Sequence, residues 1–339
     1  MPSDHIPNRR ELLSALAAAS LAASAVPPAQ ATPPPSGQRK GDMLYRPFGR
    51  TGIEVSAIGL GGYHIGVPAE QEGIRIIRTA VDRGITFMDT CGDYNDGKSE
   101  VVMGKALRDG YRQKIFLMTK FDGRTQEAAA QQIDQSLQRL QTDHIDLIQY
   151  HENIRLEDPD RFFAPHGAVE AVLAAKKAGK VRFIGFTGHK DPIVHLRMLE
   201  IAQKHNFHFD AAQMPLNVMD AHFRSFTHEV VPKLVAQNIA VLGMKPLGGG
   251  AIAKSGIVPP IECLQYALSL PTTVVINGCD SMARLQQALE AVRTFQPMSE
   301  TQMAALLDKT KAVALTGRLE QFKISNVFDG TAQNPQWLG

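Results

Sequence analysis

The sequence predicts an α/β protein: a (β/α)8 TIM barrel with a short N-terminal β-hairpin and a C-terminal helical extension. Three observations carry this. Eight apolar runs of strand length alternate with longer amphipathic stretches between Met43 and Phe295. The runs lack clean period-2 alternation, as strands buried on both faces do. About 250 residues is the usual length for closing eight such units into a barrel, an open doubly wound sheet being the competitor.

The elements follow in order. Met43–Arg46, a turn through Gly49-Arg50-Thr51-Gly52, and Ile53–Ser56 read as a hairpin able to plug the N-terminal end of the barrel. The strand-like runs are Ala57–Gly61, Ile85–Met88, Ile115–Met118, Ile145–Ile148, Val181–Phe186, Phe209–Gln213, Ala240–Gly243 and Thr273–Ile276. Between them, Glu70–Arg83, Gln126–Leu140, Gly167–Ala178 and Asp191–Lys204 carry helical periodicity, the third stopped by Gly179. Ser281–Phe295 repeats it with Leu285, Leu289 and Val292 on one stripe and Ser281 as N-cap. A helix over Glu300–Leu315 and an irregular tail complete the chain.

Composition narrows the function. The 339 residues are 44% hydrophobic and 21% charged, with a net charge of +2, so nothing points to nucleic acid or an anionic surface. Cys91, Cys263 and Cys279 give neither a metal-ligand spacing nor a disulfide framework, and no metal is expected. His205 and His208 lack a third ligand nearby and read as a surface loop.

The first 42 residues differ from the rest. Asn8-Arg9-Arg10-Glu11-Leu12-Leu13 sets paired arginines before an apolar run, Leu12–Val26, and Ala29-Gln30-Ala31 offers small residues for cleavage. That run is shorter than the roughly 20 residues a membrane-spanning helix needs. Residues 1–31 resemble a twin-arginine signal peptide, which implies recognition by the twin-arginine export machinery, a periplasmic or otherwise exported location, and no stable membrane span. Residues 32–42, with Pro33, Pro34, Pro35 and Gly37, read as a linker, leaving 43–339 as the barrel.

The active site of such a barrel lies at the C-terminal ends of its strands. Just past the apolar runs stand Asp89; Thr119 and Lys120; Tyr150 and His151; Thr187-Gly188-His189; Gln213; Met244-Lys245; and Asn277-Gly278. Isolated ionisable groups are costly there unless paired, and an acid, a lysine and a histidine on three successive strands satisfy that constraint.

Gly84-Ile85-Thr86-Phe87-Met88-Asp89-Thr90 followed by Tyr94, Leu117-Met118-Thr119-Lys120, and Asp143 through His151 resemble the aldo-keto reductases in order and spacing. Gly179 through Gly185, Gln213 and Leu247-Gly248-Gly249-Gly250 extend the resemblance from about Leu44 to Phe295. It implies hydride transfer between a nicotinamide cofactor and a carbonyl or alcohol substrate. Tyr94 would be the general acid, Lys120 would favour its phenolate, Asp89 would hold Lys120, and His151 would place the carbonyl oxygen.

For the cofactor, the resemblance implies Asp89, Thr187 and Gln213 near the nicotinamide, with Gly188 replacing a common Asn and His189 as a possible substitute. Met244 stands where a stacking aromatic is usual. Lys245 and the backbone of Leu247, Gly248 and Gly249 would meet the pyrophosphate. Asn277, Gly278 and Arg284 fall in the segment gripping the adenosine ribose, and Arg284 favours NADP(H) over NAD(H), although Gly278 replaces a common lysine. Tyr63, His64 and Phe121 are candidates for lining the substrate pocket, from position alone. Two other readings stand beside the reductase: a non-catalytic nicotinamide-nucleotide-binding or redox-sensing module of the same fold, and a barrel hydrolase or lyase working without nicotinamide.

Overall fold

The computed structural model describes residues 33–339; the signal-peptide reading of residues 1–31 lies outside the described residues. Eight parallel strands form a closed barrel: β4 (Ile58–Gly61), β5 (Phe87–Asp89), β6 (Phe116–Phe121), β7 (Ile145–Tyr150), β8 (Val181–Thr187), β9 (Ala211–Pro215), β10 (Ala240–Met244) and β11 (Val274–Gly278), with β11 pairing back onto β4. All but β4 end one to three residues later than the apolar runs suggest. The ladder continues through polar residues such as Asp89 against Gly61 and Lys120 against Gln149. Asp89, Lys120 and Thr187 therefore sit on the last rungs of their strands, where backbone pairing fixes them, while Tyr94, His151 and Lys245 lie in the segments just beyond.

Before the barrel stands a small antiparallel sheet of β1 (Gln38–Lys40), β2 (Met43–Pro47) and β3 (Glu54–Ser56). The pairing of β1 with β2 corrects part of the expected linker: Gly41, at φ +61°, turns the chain, and Arg39 donates to the carbonyls of Val292 and Phe295. The β2–β3 hairpin plugs the barrel. Phe48 is fully buried, its ring 4.6 Å from Phe116 and 6.1 Å from Phe87. Beneath it Arg46 donates to the carbonyls of Leu268 and Thr272, both at 2.7 Å, which satisfies most of a buried guanidinium.

Helices wrap the barrel, and side chains alternate between its interior and the helical layer. On β6, Met118 and Lys120 point inward while Phe121 packs against Tyr150 in the core shared with the helices. Ser281 takes the N-cap position of Met282–Arg293 but its side chain makes no capping bond, whereas Ser299 and Gln302 form a full capping box at Glu300–Ala314. Among the described residues no helix is long and apolar enough to cross a membrane. The tail after Leu315 is more ordered than the sequence suggests: Gln321–Ile324 and Gly330–Gln333 are short helices laid across the C-terminal ends of the strands.

Candidate active site

Lys120, 1% exposed, stands one residue before the end of β6 and points inside the barrel. A buried ammonium needs three acceptors, and it has them: a carboxylate oxygen of Asp89, the Thr90 carbonyl at 2.8 Å and the Tyr94 oxygen at 3.0 Å. The other Asp89 oxygen accepts from Gln213 Nε2 at 2.9 Å. Because the phenol oxygen accepts from lysine, its own hydrogen is left to donate elsewhere. Lys120 does not set the net shift: burial, and after it the carboxylates of Asp89, Asp93 and Glu152, push the phenol well above its ordinary range. Tyr94 is thus held as a protonated donor.

His151 faces Tyr94 edge-on, ring centroids 6.3 Å apart. Its Nδ1 lies 2.9 Å from Asp122 Oδ1, 3.6 Å from Cys91 Sγ and 4.0 Å from Asp93 Oδ2. Sequence reading missed this grouping. Asp122 follows Lys120 by two residues and Asp93 precedes Tyr94, so each was visible, but only the fold aims them at one imidazole nitrogen. A cavity of about 170 Å³ opens beside Asp93, Lys120, Asp122 and Trp337.

Tyr63 is half exposed and stands edge-on to Tyr94 at 5.6 Å, with His64 beside it at 5.5 Å. Phe121 is the exception among the pocket candidates, because strand alternation turns its ring into the helical layer.

Around the expected nicotinamide end, Thr187 and Gln213 are buried and adjacent on neighbouring strands, and Met244 closes β10. Gly188 has no room for a side chain, since a Cβ there would lie 2.2 Å from the Asn153 carbonyl oxygen. His189 Nε2 is taken by Asp329 at 3.0 Å. One buried acceptor, Gln213 Oε1, has no hydrogen-bond partner, while the same amide's nitrogen serves Asp89. An amide donor such as a nicotinamide carboxamide has the chemistry to satisfy that acceptor.

Lys245 adopts φ +53° just past β10, and burial holds its ammonium down at about 8. It lies 5.5 Å from the Phe322 ring and 5.6 Å from that of Phe328. Gly248 and Gly249 have φ of +61° and +64°, conformations that only glycine adopts readily. The expectation of free amides there is corrected for Gly248, whose N–H is tied to the Lys245 carbonyl at 2.9 Å. Leu247 packs partly buried against the helical core. Asn277 is buried beside Cys279, and Arg284 is exposed on the first turn after β11, donating to Gln287. At Gly278 a Cβ would fall 2.0 Å from the His64 imidazole, so here a histidine fills the space where a lysine stem would start.

The tail is the largest feature the sequence hides. Glu152 accepts from the backbone of Gly330 and Thr331 and from the Thr331 hydroxyl, Asp329 bridges His189 and Lys190, and Gln132 donates to the Trp337 carbonyl. Phe328 packs against Gly249.

The sequence profile of the Aldo/keto reductase family matches residues 57–260. The aldo-keto reductase YhdN of Bacillus subtilis is 36% identical over 159 residues, which span 42% of this chain and 46% of that protein. The L-galactose dehydrogenase of Arabidopsis thaliana is 30% identical over 237 residues, 63% of this chain and 68% of that protein. In fold, the chain is similar to the holo form of aldo-keto reductase AKR11C1 from Bacillus halodurans: the TM-score is 0.67 at 23% identity, covering 80% of this chain and 97% of the other.

Proposed function

Because the chain belongs to the aldo/keto reductase family, we propose that it transfers a hydride between NADP(H) and the carbonyl or alcohol carbon of an aldehyde, ketone or sugar, with Tyr94 as general acid. The observation that carries this is the Lys120 ammonium bonded to both Asp89 and the Tyr94 oxygen at the open end of the barrel.

A bound nicotinamide supplies the hydride. The chain's own residues handle the charge that hydride arrival creates. As the carbonyl oxygen becomes an alkoxide, Tyr94 gives it a proton; an alkoxide is a far stronger base than a phenolate, so a raised phenol pKa does not prevent the transfer. The phenolate left behind faces Lys120 at 3.0 Å, and a preset charge of this kind contributes on the order of a few kcal/mol in a dry site. Asp89 keeps the ammonium in place, and His151 directs its ring toward the same oxygen.

Gln213 Oε1 would receive the carboxamide, Thr187 and Met244 would border the ring, and Lys245 would meet the pyrophosphate. Phe328 lies against Gly249, so binding of a dinucleotide entails movement of the tail. The preference for NADP(H) rests on Arg284, whose exposed planar fork suits a 2′-phosphate.

The test is NADPH oxidation at 340 nm with a panel of aldehydes, ketones and sugars. Tyr94→Phe should lower kcat by roughly 10²-fold or more while leaving NADPH affinity intact. Unchanged turnover in Tyr94→Phe would overturn the assignment of the acid and favour a cofactor-sensing module. We further propose export through the twin-arginine route, tested by fractionating cells that carry Arg9→Lys/Arg10→Lys, which should retain the protein inside.

A further inference from the structure

His151 is buried at the mouth, and the proton on its nitrogen decides whether it can act on a carbonyl oxygen. A neutral imidazole has one N–H. If that hydrogen sits on Nδ1 and donates to the Asp122 carboxylate at 2.9 Å, Nε2 is a bare lone pair and repels the substrate oxygen. For Nε2 to donate without setting a bare Nδ1 lone pair against the Asp122 carboxylate, the pair must hold one more proton, either on the imidazole or on the carboxyl group.

The surroundings favour that extra proton. Asp93 Oδ2 stands 4.0 Å from Nδ1, and its other oxygen is buried without a hydrogen-bond partner. Asp122 is 4% exposed, so the carboxylates of Asp122 and Asp93 face one imidazole nitrogen in a largely buried setting, with the negative charge of Glu152 nearby. The neighbouring cations are committed: Lys120 to Asp89, Thr90 and Tyr94, and Arg124 to the backbone oxygens of Asp122, His151 and Glu152 and the carboxylate of Asp158. The Cys91 thiol at 3.6 Å is held protonated by burial and by Asp93 and Asp122. Burial lowers the His151 pKa and raises those of Asp93 and Asp122, the latter to about 6, so the extra proton rests on the carboxyl side of the pair and is released as the pH rises past that point. Arg124 also bonds the backbones of Asp122 and His151 together, so the geometry does not depend on the side chains alone.

We propose that Asp122 is a positioning residue for the carbonyl chemistry: the Asp122–His151 pair shares one proton along the Oδ1–Nδ1 axis, which leaves Nε2 carrying the hydrogen it donates to the substrate oxygen. This rests on the reductase reading. Raising the pH removes the shared proton, Nδ1–H then faces a carboxylate, and Nε2 goes bare. In Asp122→Asn the side-chain amide donates to Nδ1, so a neutral imidazole keeps its hydrogen on Nε2 at high pH.

Two measurements test it. The first is ¹⁵N NMR of histidine-labelled, cofactor-free protein, with the His151 signal assigned by its loss in His151→Gln. At pH 5 it should show a protonated Nε2 that goes bare as the pH rises; a bare Nε2 throughout pH 5 to 9 would overturn the proposal without reference to turnover. The second is the pH profile of aldehyde reduction. Wild type should show an alkaline fall in kcat that Asp122→Asn lacks, with the mutant plateau about tenfold lower and KM little changed. In a His151→Gln background the Asp122→Asn effect should shrink below twofold. Superimposable profiles, or an undiminished effect in that background, would refute the role of Asp122. Absence of any wild-type turnover would instead retire the reductase reading and leave the NMR result to decide the proton.

Discussion

Gly278 and His64 offer a quantitative test of how the cofactor segment is packed. Substituting Gly278→Ala places a Cβ 2.0 Å from His64 Nδ1, 2.4 Å from Cε1 and 2.6 Å from Cγ. Ordinary contact is about 3.5–4.0 Å, so the ring must retreat by roughly 1.5 Å. It is partly buried and packed edge-on to Tyr63 at 5.5 Å, so the retreat disturbs the pocket wall. Overpacking of this kind typically destabilises by about 1–3 kcal/mol. A domain of 150–250 residues loses about 2–4 °C of Tm per kcal/mol, so a fall of several degrees is expected. Thermal or urea unfolding reads it. In a His64→Ala background the same substitution should cost under about 0.5 kcal/mol, as surface changes do. His64→Ala/Gly278→Lys should then accept the ammonium and favour NADPH over NADH by about tenfold, the scale of one charge-assisted contact. An equal loss in both backgrounds, or no loss in wild type, would refute the packing argument.

Other perturbations separate the remaining contacts. Lys245 titrates at about 8 in the free protein, so NADPH affinity should be flat below that pH and weaken about tenfold per unit above it. Lys245→Met should weaken binding and remove that slope in a fluorescence titration, whereas a wild-type affinity constant from pH 7 to 10 would contradict the assignment. Lys120→Met strands the 4%-exposed Asp89 carboxylate and should destabilise by about 3–5 kcal/mol in urea unfolding, with Asp89→Asn added in the double variant recovering most of it. Asp329→Asn removes the carboxylate charge and one of its two acceptor oxygens, which contact Lys190 at 2.6 Å and His189 at 3.0 Å. Hydrogen exchange should then rise across residues 318–339 and NADPH should associate faster, with exchange in the barrel strands unchanged.

Much of this architecture is legible in the sequence, for a physical reason. Strands buried on both faces leave apolar runs that nothing else in a soluble domain requires, and eight runs in alternation with amphipathic helices leave few ways to close. The ionisable residues at strand ends were legible because burial without a partner is expensive, so Asp89, Lys120 and His151 were conspicuous in apolar company. Strand ends were read one to three residues early because hydrophobicity reports burial, whereas the ladder of hydrogen bonds runs on through Lys120 and Thr187. The net direction of the Tyr94 shift was not legible for a similar reason: spacing revealed the lysine, but not the burial of the phenol, which outweighs it, nor the carboxylates of Asp93 and Glu152 nearby. The tail was illegible because its contacts, such as Thr331 with Glu152, join residues 179 positions apart through single hydrogen bonds that leave no periodic pattern. Gly278 could be read as a departure from the aldo-keto reductase pattern, but its reason is the His64 ring, which only coordinates supply.

The central claim is that the group of Asp89, Tyr94, Lys120 and His151 carries hydride transfer to a carbonyl. Its most direct test is isotopic. Wild-type protein is incubated with an aldehyde and NADPH bearing deuterium at the transferable C4 position, and the alcohol is analysed by mass spectrometry. The account predicts one deuterium on the carbinol carbon, formed by wild type and lost at least 10²-fold in Tyr94→Phe. Alcohol without deuterium, or deuterated alcohol formed equally fast by Tyr94→Phe, would contradict it.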